Sequence, residues 1–205
     1  MKHIIKIVSV LGLLSVLLVG CSGSNTTTET VEITNNEMKV EMKEVAAQTI
    51  KQYFDIDIND GVAREELAFE NQVIDKEAGT KTHVSNMFRG TTMTEAREGE
   101  IQSYGVVMDK DNQGVQGAIL QLFTTAQPQK YKEQQLKEIG DKFAITTGVV
   151  DEPSKWIYDG IEKAVSNKQL TVLRYKNEEI KTYLLVGISL QTGQVTYFER
   201  TVPAE

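Results

Sequence analysis

Leu170-Thr171-Val172-Leu173-Arg174-Tyr175, the run from Ile180 to Leu190, and Val195-Thr196-Tyr197-Phe198-Glu199-Arg200 are three stretches rich in β-branched and aromatic residues, separated by short polar breaks. In the middle run Ile180, Leu184, Val186, Ile188 and Leu190 share one face of an extended chain, the period of two expected of a half-buried strand. The first break falls near Asn177. The second is Gln191-Thr192-Gly193-Gln194, where a glycine supplies positive φ to a tight turn without steric cost. Three strands joined in this way form an antiparallel meander, and the meander decides the fold class.

Outward from it, the signals alternate between helix and strand. Pro153 suits the first turn of a helix whose inner face would carry Ile157, Ile161 and Val165. Before it, Tyr131, Leu136, Ile139 and Phe143 recur at helical spacing. Pro128 breaks the chain. Weakly alternating strands cover Leu67 to Val73, His83 to Phe88, Ile101 to Met108 and Val115 to Phe123, and Asp109-Lys110-Asp111-Asn112-Gln113-Gly114 reads as the turn of a hairpin between the last two. Nearest the amino terminus, Thr34-Asn35-Asn36-Glu37 fits a capping box. Met38, Met42, Val45, Ala46, Ile50 and Phe54 then trace one face of a helix from about Glu37 to Tyr53. The expected class is α+β, with helices packed on antiparallel β-sheet.

The organisation reads as residues 1–20, 21–36 and 37–205. The last segment is one α+β domain, or two related helix-plus-sheet units over 37–127 and 128–205. Each half runs helix and then strands. Each also places a tyrosine ten residues before a hairpin glycine, Tyr104 to Gly114 and Tyr183 to Gly193. Ser22 to Asn36 is poor in large apolar residues and reads as a flexible tether, with a strand over Thr30 to Thr34 as the competing reading. Fully extended, the tether reaches ~50 Å.

Val186-Gly187-Ile188-Ser189-Leu190-Gln191-Thr192-Gly193-Gln194-Val195-Thr196-Tyr197 resembles the last hairpin of PepSY-type modules. That resemblance implies a preceding helix, here from about Pro153 to Asn167, and a role in binding or inhibiting peptidases or modulating extracytoplasmic partners. It supplies no catalytic residue.

At the amino terminus Lys2 and Lys6 precede Ile7 to Val19, an uncharged run of apolar and small residues too short to span a bilayer core needing ~20. The run ends in Leu18-Val19-Gly20-Cys21, which is similar to the lipobox of bacterial lipoproteins. The resemblance implies cleavage between Gly20 and Cys21 and a diacylglyceryl thioether on Cys21. The protein would then be held at the cell membrane on its extracytoplasmic face, the attached acyl chains giving a stable anchor. The competing readings are a simple secretory signal and an uncleaved anchor helix.

Removing residues 1–20, with Lys2 and Lys6 and no acid, takes the formal charge from −7 to −9. That sign repels nucleic acid and anionic lipid headgroups, and no Lys/Arg cluster offsets it. Cys21 is the only cysteine, so an acylated chain has neither disulfides nor thiol chemistry. His83 is the only histidine after residue 20 and lies in a strand-like run. A single histidine cannot make a zinc set, and no phosphate loop is present. A Ser-His-Asp arrangement would have to use His83, with no Gly-x-Ser-x-Gly around any serine, and an ordinary strand histidine is the favoured reading. No catalytic, metal or cofactor residue is therefore assigned.

Asp55, Asp57, Asn59 and Glu66 occupy the first, third, fifth and twelfth places of a calcium-type loop. Asp60 stands where such a loop needs glycine, and a solvated acidic turn is the simpler reading. The 109–114 turn has its glycine in place but Leu120 where a carboxylate belongs, and reads as a hairpin.

Two function classes follow. The first is a non-enzymatic binding or regulatory lipoprotein contacting an envelope protein or peptidase. The alternative is a carboxylate-based cell-envelope hydrolase, marked by a cleft with two carboxylates roughly 5–10 Å apart. A transport receptor is a weaker third, since two-lobed receptors need a longer chain.

Overall fold

In the computed structural model, the described residues are 36–58, 64–72, 83–91, 97–109 and 114–201; side chains are described over 42–58, 97–108 and 114–201. The expectations for residues 1–35, including the Gly20–Cys21 cleavage site, the tether and the capping box, lie outside them. So does Asn59.

Helix α1 is Asn36–Phe54, and strands β1 Arg64–Gln72, β2 His83–Thr91, β3 Ile101–Asp109 and β4 Val115–Leu122 follow. Helix α2 is Glu133–Thr146, then a single 3-10 turn at Pro153–Lys155, and strands β5 Ile157–Ile161, β6 Leu170–Asn177, β7 Thr182–Ser189 and β8 Val195–Thr201. All eight strands make one antiparallel sheet in the order β1-β2-β3-β4-β8-β7-β6-β5. The expected α+β class, helices on antiparallel sheet, is what the chain adopts.

Burial explains the helices. Met42, Ala46 and Ile50 are fully buried at spacings of four, and Leu136, Gly140, Phe143 and Ala144 repeat that stripe on α2. Gln135 accepts a hydrogen bond from the Lys132 backbone N–H at 2.9 Å, which satisfies a donor at the start of α2. Both helices leave through a left-handed residue, Asp55 at φ 57° and Gly148 at φ 67°. Their buried stripes join Tyr104, Val106 and Met108 of β3, Ala118 and Leu120 of β4, Leu184, Val186 and Ile188 of β7, and Phe198 of β8. The opposite sheet face carries a smaller cluster of Val107, Ile119, Val172, Leu185 and Tyr197, onto which Val165 packs.

Two expectations fail. Residues 153–167 are not a helix. Ile157, Ile161 and Val165 mimic helical spacing, but Gly160 sits at φ 109° and the ladder to β6 is irregular between Tyr158 and Gly160. The chain forms an edge strand instead, with Ile157 exposed and Val165 buried on the far face. The helix preceding the carboxyl-terminal meander is α2. Ile180, expected on the inner face of a strand, is an exposed turn residue before β7.

The two halves repeat one arrangement, a helix and then four strands. A shift of 80 positions carries the irregular pairs Val107↔Gly117 and Met108↔Val115 onto Gly187↔Tyr197 and Ile188↔Val195. The same shift carries Gly117↔Glu199 onto Tyr197↔Ile119 and leaves Ala118↔Phe198 on itself. A pseudo-two-fold axis therefore passes through the Ala118–Phe198 pair. The spacing of Tyr104 and Tyr183 misses this register by one residue: Tyr104 belongs to the core under the helices, whereas Tyr183 alternates with Leu184 and lies with Arg174 on the other face.

Phe198 fills the axis. It is fully buried, and its ring centroid lies 4.6 Å from Tyr53, 6.1 Å from Phe54 and 6.0 Å from Phe143, so one side chain touches both helices.

Candidate functional site

The two four-strand units meet along β4 and β8, and that junction is incomplete. β4 has eight residues and β8 seven, yet only Gly117↔Glu199, Ala118↔Phe198 and Ile119↔Tyr197 are paired. At one end of the seam Arg200 donates from Nη2 to the carbonyl of Val115 at 2.7 Å and holds the strands together. Past the other end of the ladder, beyond Ile119↔Tyr197, lies a groove of about 130 Å³.

The groove reaches both sides of β4, as a gap between strands must. Leu120 and Leu122 line it from the helix side; Ile119 and Gln121 line it from the other. Leu170 adds a further aliphatic wall. The rest is hydroxyl and amide: Thr196 of β8, Ser189 at the end of β7, Gln191 and Thr192 of the turn, and Asn167, Gln169 and Thr124 from the flanking loops. No charged side chain is among them.

Local hydrogen bonds fix these walls. Gln121 Oε1 accepts from Ser103 Oγ at 3.1 Å, and Asn167 Oδ1 accepts from the Gln169 and Leu170 N–H groups at 2.8 and 2.9 Å. Gln191 Nε2 donates to the Ala126 carbonyl at 2.8 Å, and the Gln129 N–H donates to Leu190 O at 2.8 Å. The segment connecting the units is thereby pinned to the β7–β8 turn. Its other anchor is Glu98, whose carboxylate accepts from Thr124 Oγ1 and from the Thr125 N–H at 2.8 Å. These bonds, the one from Thr124 first, hold the Glu98 carboxyl below its ordinary range. Gly193, at φ 71° as expected for the turn, leaves room for Tyr131, whose hydroxyl would lie 2.7 Å from a Cβ placed there.

A second recess, at the β6–β7 turn, is lined by Lys176, Asn177, Glu178, Lys181, Thr182 and Tyr183. Its carboxylate, Glu178, accepts from Lys176 at 2.7 Å. Neither recess brings two carboxylates together. Asp159 and Glu162 do approach each other, but around Arg174, which donates to both at 2.8 Å. Tyr197 donates to Glu199 within the sheet, and burial pushes its phenol well above the usual range. No grouping of three or more His, Cys, Asp or Glu side chains that could hold a metal is present among the described residues.

The residues singled out from sequence are only partly among those described. His83 is the first residue of β2, opposite Gln72. Asp55 follows the last residue of α1 and pairs with Lys51 at 3.0 Å. Of the remaining calcium-type positions, Asp57 is exposed in the chain that follows α1, Asn59 lies outside the described residues, and Glu66 is a backbone position on β1. Strands β3 and β4 pair antiparallel, and residues 110–113 of the turn expected between them lie outside the described residues. The seam groove was not foreseen, because Leu120 and Thr196 are far apart in the chain and neither sits in a local motif.

No protein-family model and no curated protein matches the chain. Among solved structures it is similar to the Bacillus megaterium YpeB C-terminal domain, with a TM-score of 0.47 and 11% sequence identity over 82% of this chain and 64% of that one. The matched region thus spans less than two thirds of that domain. No helix among the described residues is long and apolar enough to cross a membrane.

Proposed function

We propose that this protein is a lipoprotein held by Cys21 on the extracytoplasmic face of the cell membrane, where it acts as a non-enzymatic binding module for an envelope protein. The anchoring rests on the lipobox-like Leu18-Val19-Gly20-Cys21. The PepSY-like hairpin of residues 186–197 makes a peptidase one candidate partner.

The observation that carries the binding reading is the seam groove: an open, uncharged recess of amides, hydroxyls and aliphatic side chains between two well-packed units. Such a surface has hydrogen-bonding and apolar groups to offer a partner, but no acid–base pair to cleave one. A photo-crosslinking residue in place of Gln121, in cells, should give a discrete adduct with an envelope protein. The same residue in place of Glu138, on the exposed side of α2, should not. Equal labelling from both positions, or release of soluble cell-wall fragments by the purified chain, would defeat this reading.

A further inference from the structure

We infer that the seam groove seats a short extended peptide segment with uncharged side chains, whose backbone takes up the ladder that β4 and β8 leave unfinished. This rests on the groove being the binding site.

The register shows what is missing. Continued by one step, the ladder would set Leu120 opposite Thr196, and by two, Gln121 opposite Val195; neither pair forms. Backbone N–H and C=O groups are obligatory hydrogen-bonding groups, and an open strand edge presents them in a row that matches another extended chain. Addition of a strand to such an edge is an established mode of peptide recognition, with pockets reading alternate side chains. Here Leu120 and Leu122 would meet apolar side chains on the helix side and Ile119 and Leu170 those on the other, and the polar contact would come from Gln121. Because Ser103 occupies Gln121 Oε1, that side chain has its NH₂ to offer a peptide carbonyl.

The ladder stops one pair from Ala118↔Phe198 at both ends, and comparison across the pseudo-two-fold shows what differs between them. At the closed end Arg200 reaches across to Val115 O. The position 80 residues before Arg200 is Leu120, which has no donor to make the equivalent bond to Val195. The uncharged lining then sets the ligand class. A charged side chain entering the groove would lose water and find no counter-charge, whereas a neutral peptide loses little and gains paired amides. No aromatic ring lines the groove to stack on a sugar face.

The test uses the full chain in detergent micelles and a capped heptapeptide of alternating threonine and valine. Hydrogen exchange is followed by mass spectrometry. The peptide should slow exchange over residues 118–122 and 194–197 on the order of tenfold. N-methylation of every second peptide amide should abolish that protection. Gln121→Ala should weaken binding by about threefold to tenfold, as loss of one hydrogen bond does. Leu120→Arg, which supplies the missing strap, should block binding; where it impairs folding, Gln121→Ala carries the test.

Absence of protection at the seam, or equal protection by the N-methylated peptide, overturns the inference. Protection by a neutral N-acetylglucosamine tetramer and not by the peptide also overturns it, while leaving the groove as a binding site. Failure of the crosslink at position 121 together with both probes removes the site itself.

Discussion

Replacing Phe198 with alanine tests whether the axis residue holds the two units together. The ring is fully buried and meets Tyr53, Phe54 and Phe143, which come from α1 and α2. Truncating a buried phenylalanine costs about 3–5 kcal/mol, and a residue clamped between two helices leaves a cavity that cannot collapse from one side. We expect a loss of about 4 kcal/mol, a large share of a domain's typical ~5–15 kcal/mol. The melting temperature should fall by about 8–16 °C at this chain length. Urea unfolding followed by circular dichroism measures the loss directly. The pseudo-symmetry adds a sharper criterion, because Ala118 is the axis partner of Phe198. Ala118→Phe alone overpacks the core and should cost about 1–3 kcal/mol. Combined with Phe198→Ala it places a ring at the symmetry-related point, so the double variant should be at least about 1 kcal/mol more stable than the summed single effects predict. A loss below about 1.5 kcal/mol for Phe198→Ala, or strict additivity in the pair, would refute the axis argument.

Further outcomes follow from other close approaches. Gly140→Ala gains about 1 kcal/mol of helix propensity, but its methyl would overlap the Tyr175 hydroxyl and lie 2.7 Å from Leu173 Cδ1. Destabilisation by about 1–2 kcal/mol, partly relieved by Tyr175→Phe, is expected in denaturant melts; a stabilised variant would contradict the packing. Gly193→Val forces a β-branched residue to φ 71° and against Tyr131, and should cost about 2 kcal/mol, so an unchanged melting temperature would show the turn to be wrongly drawn. Glu98 has a lowered folded pKa, so its contribution to stability is present above the ordinary carboxylate pKa of ~4.3 and is lost as pH falls through the folded value. Wild type should therefore exceed Glu98→Gln in stability near neutrality, and the two should converge in strong acid. Cys21→Ala should abolish acyl labelling and lipoprotein-type cleavage, and equal labelling of both forms would exclude Cys21 as the acceptor.

The strands from Leu170 to Arg200 were legible because they are rich in β-branched and aromatic residues and the breaks between them carry turn residues. The helices were legible because their stripes are long. Residues 153–167 misled because isoleucines at spacings of four fit a helix as well as an edge strand whose glycine permits a bulge. The seam escaped because β4–β8 pairing depends on a shift of 80 residues, and a polar Gln121 in an apolar strand looks locally like any outward-facing position. A recess between strands is a property of where a ladder stops, and the chain carries no local signal for it.

Every other neighbouring pair in the sheet is also consecutive in sequence; β4 and β8 are the exception. Loop closure for each meander is accordingly short, while joining the units must wait for the distant partner. Each half can condense on its own helix before the two dock, and docking is then the late, non-local step of folding. A junction that forms last is the natural one to part first, so partial opening under load should begin at the three β4–β8 pairs and leave the meanders intact. A tug transmitted through a bound ligand at the groove would act on that junction from its open end, in the manner of a peel and not a shear.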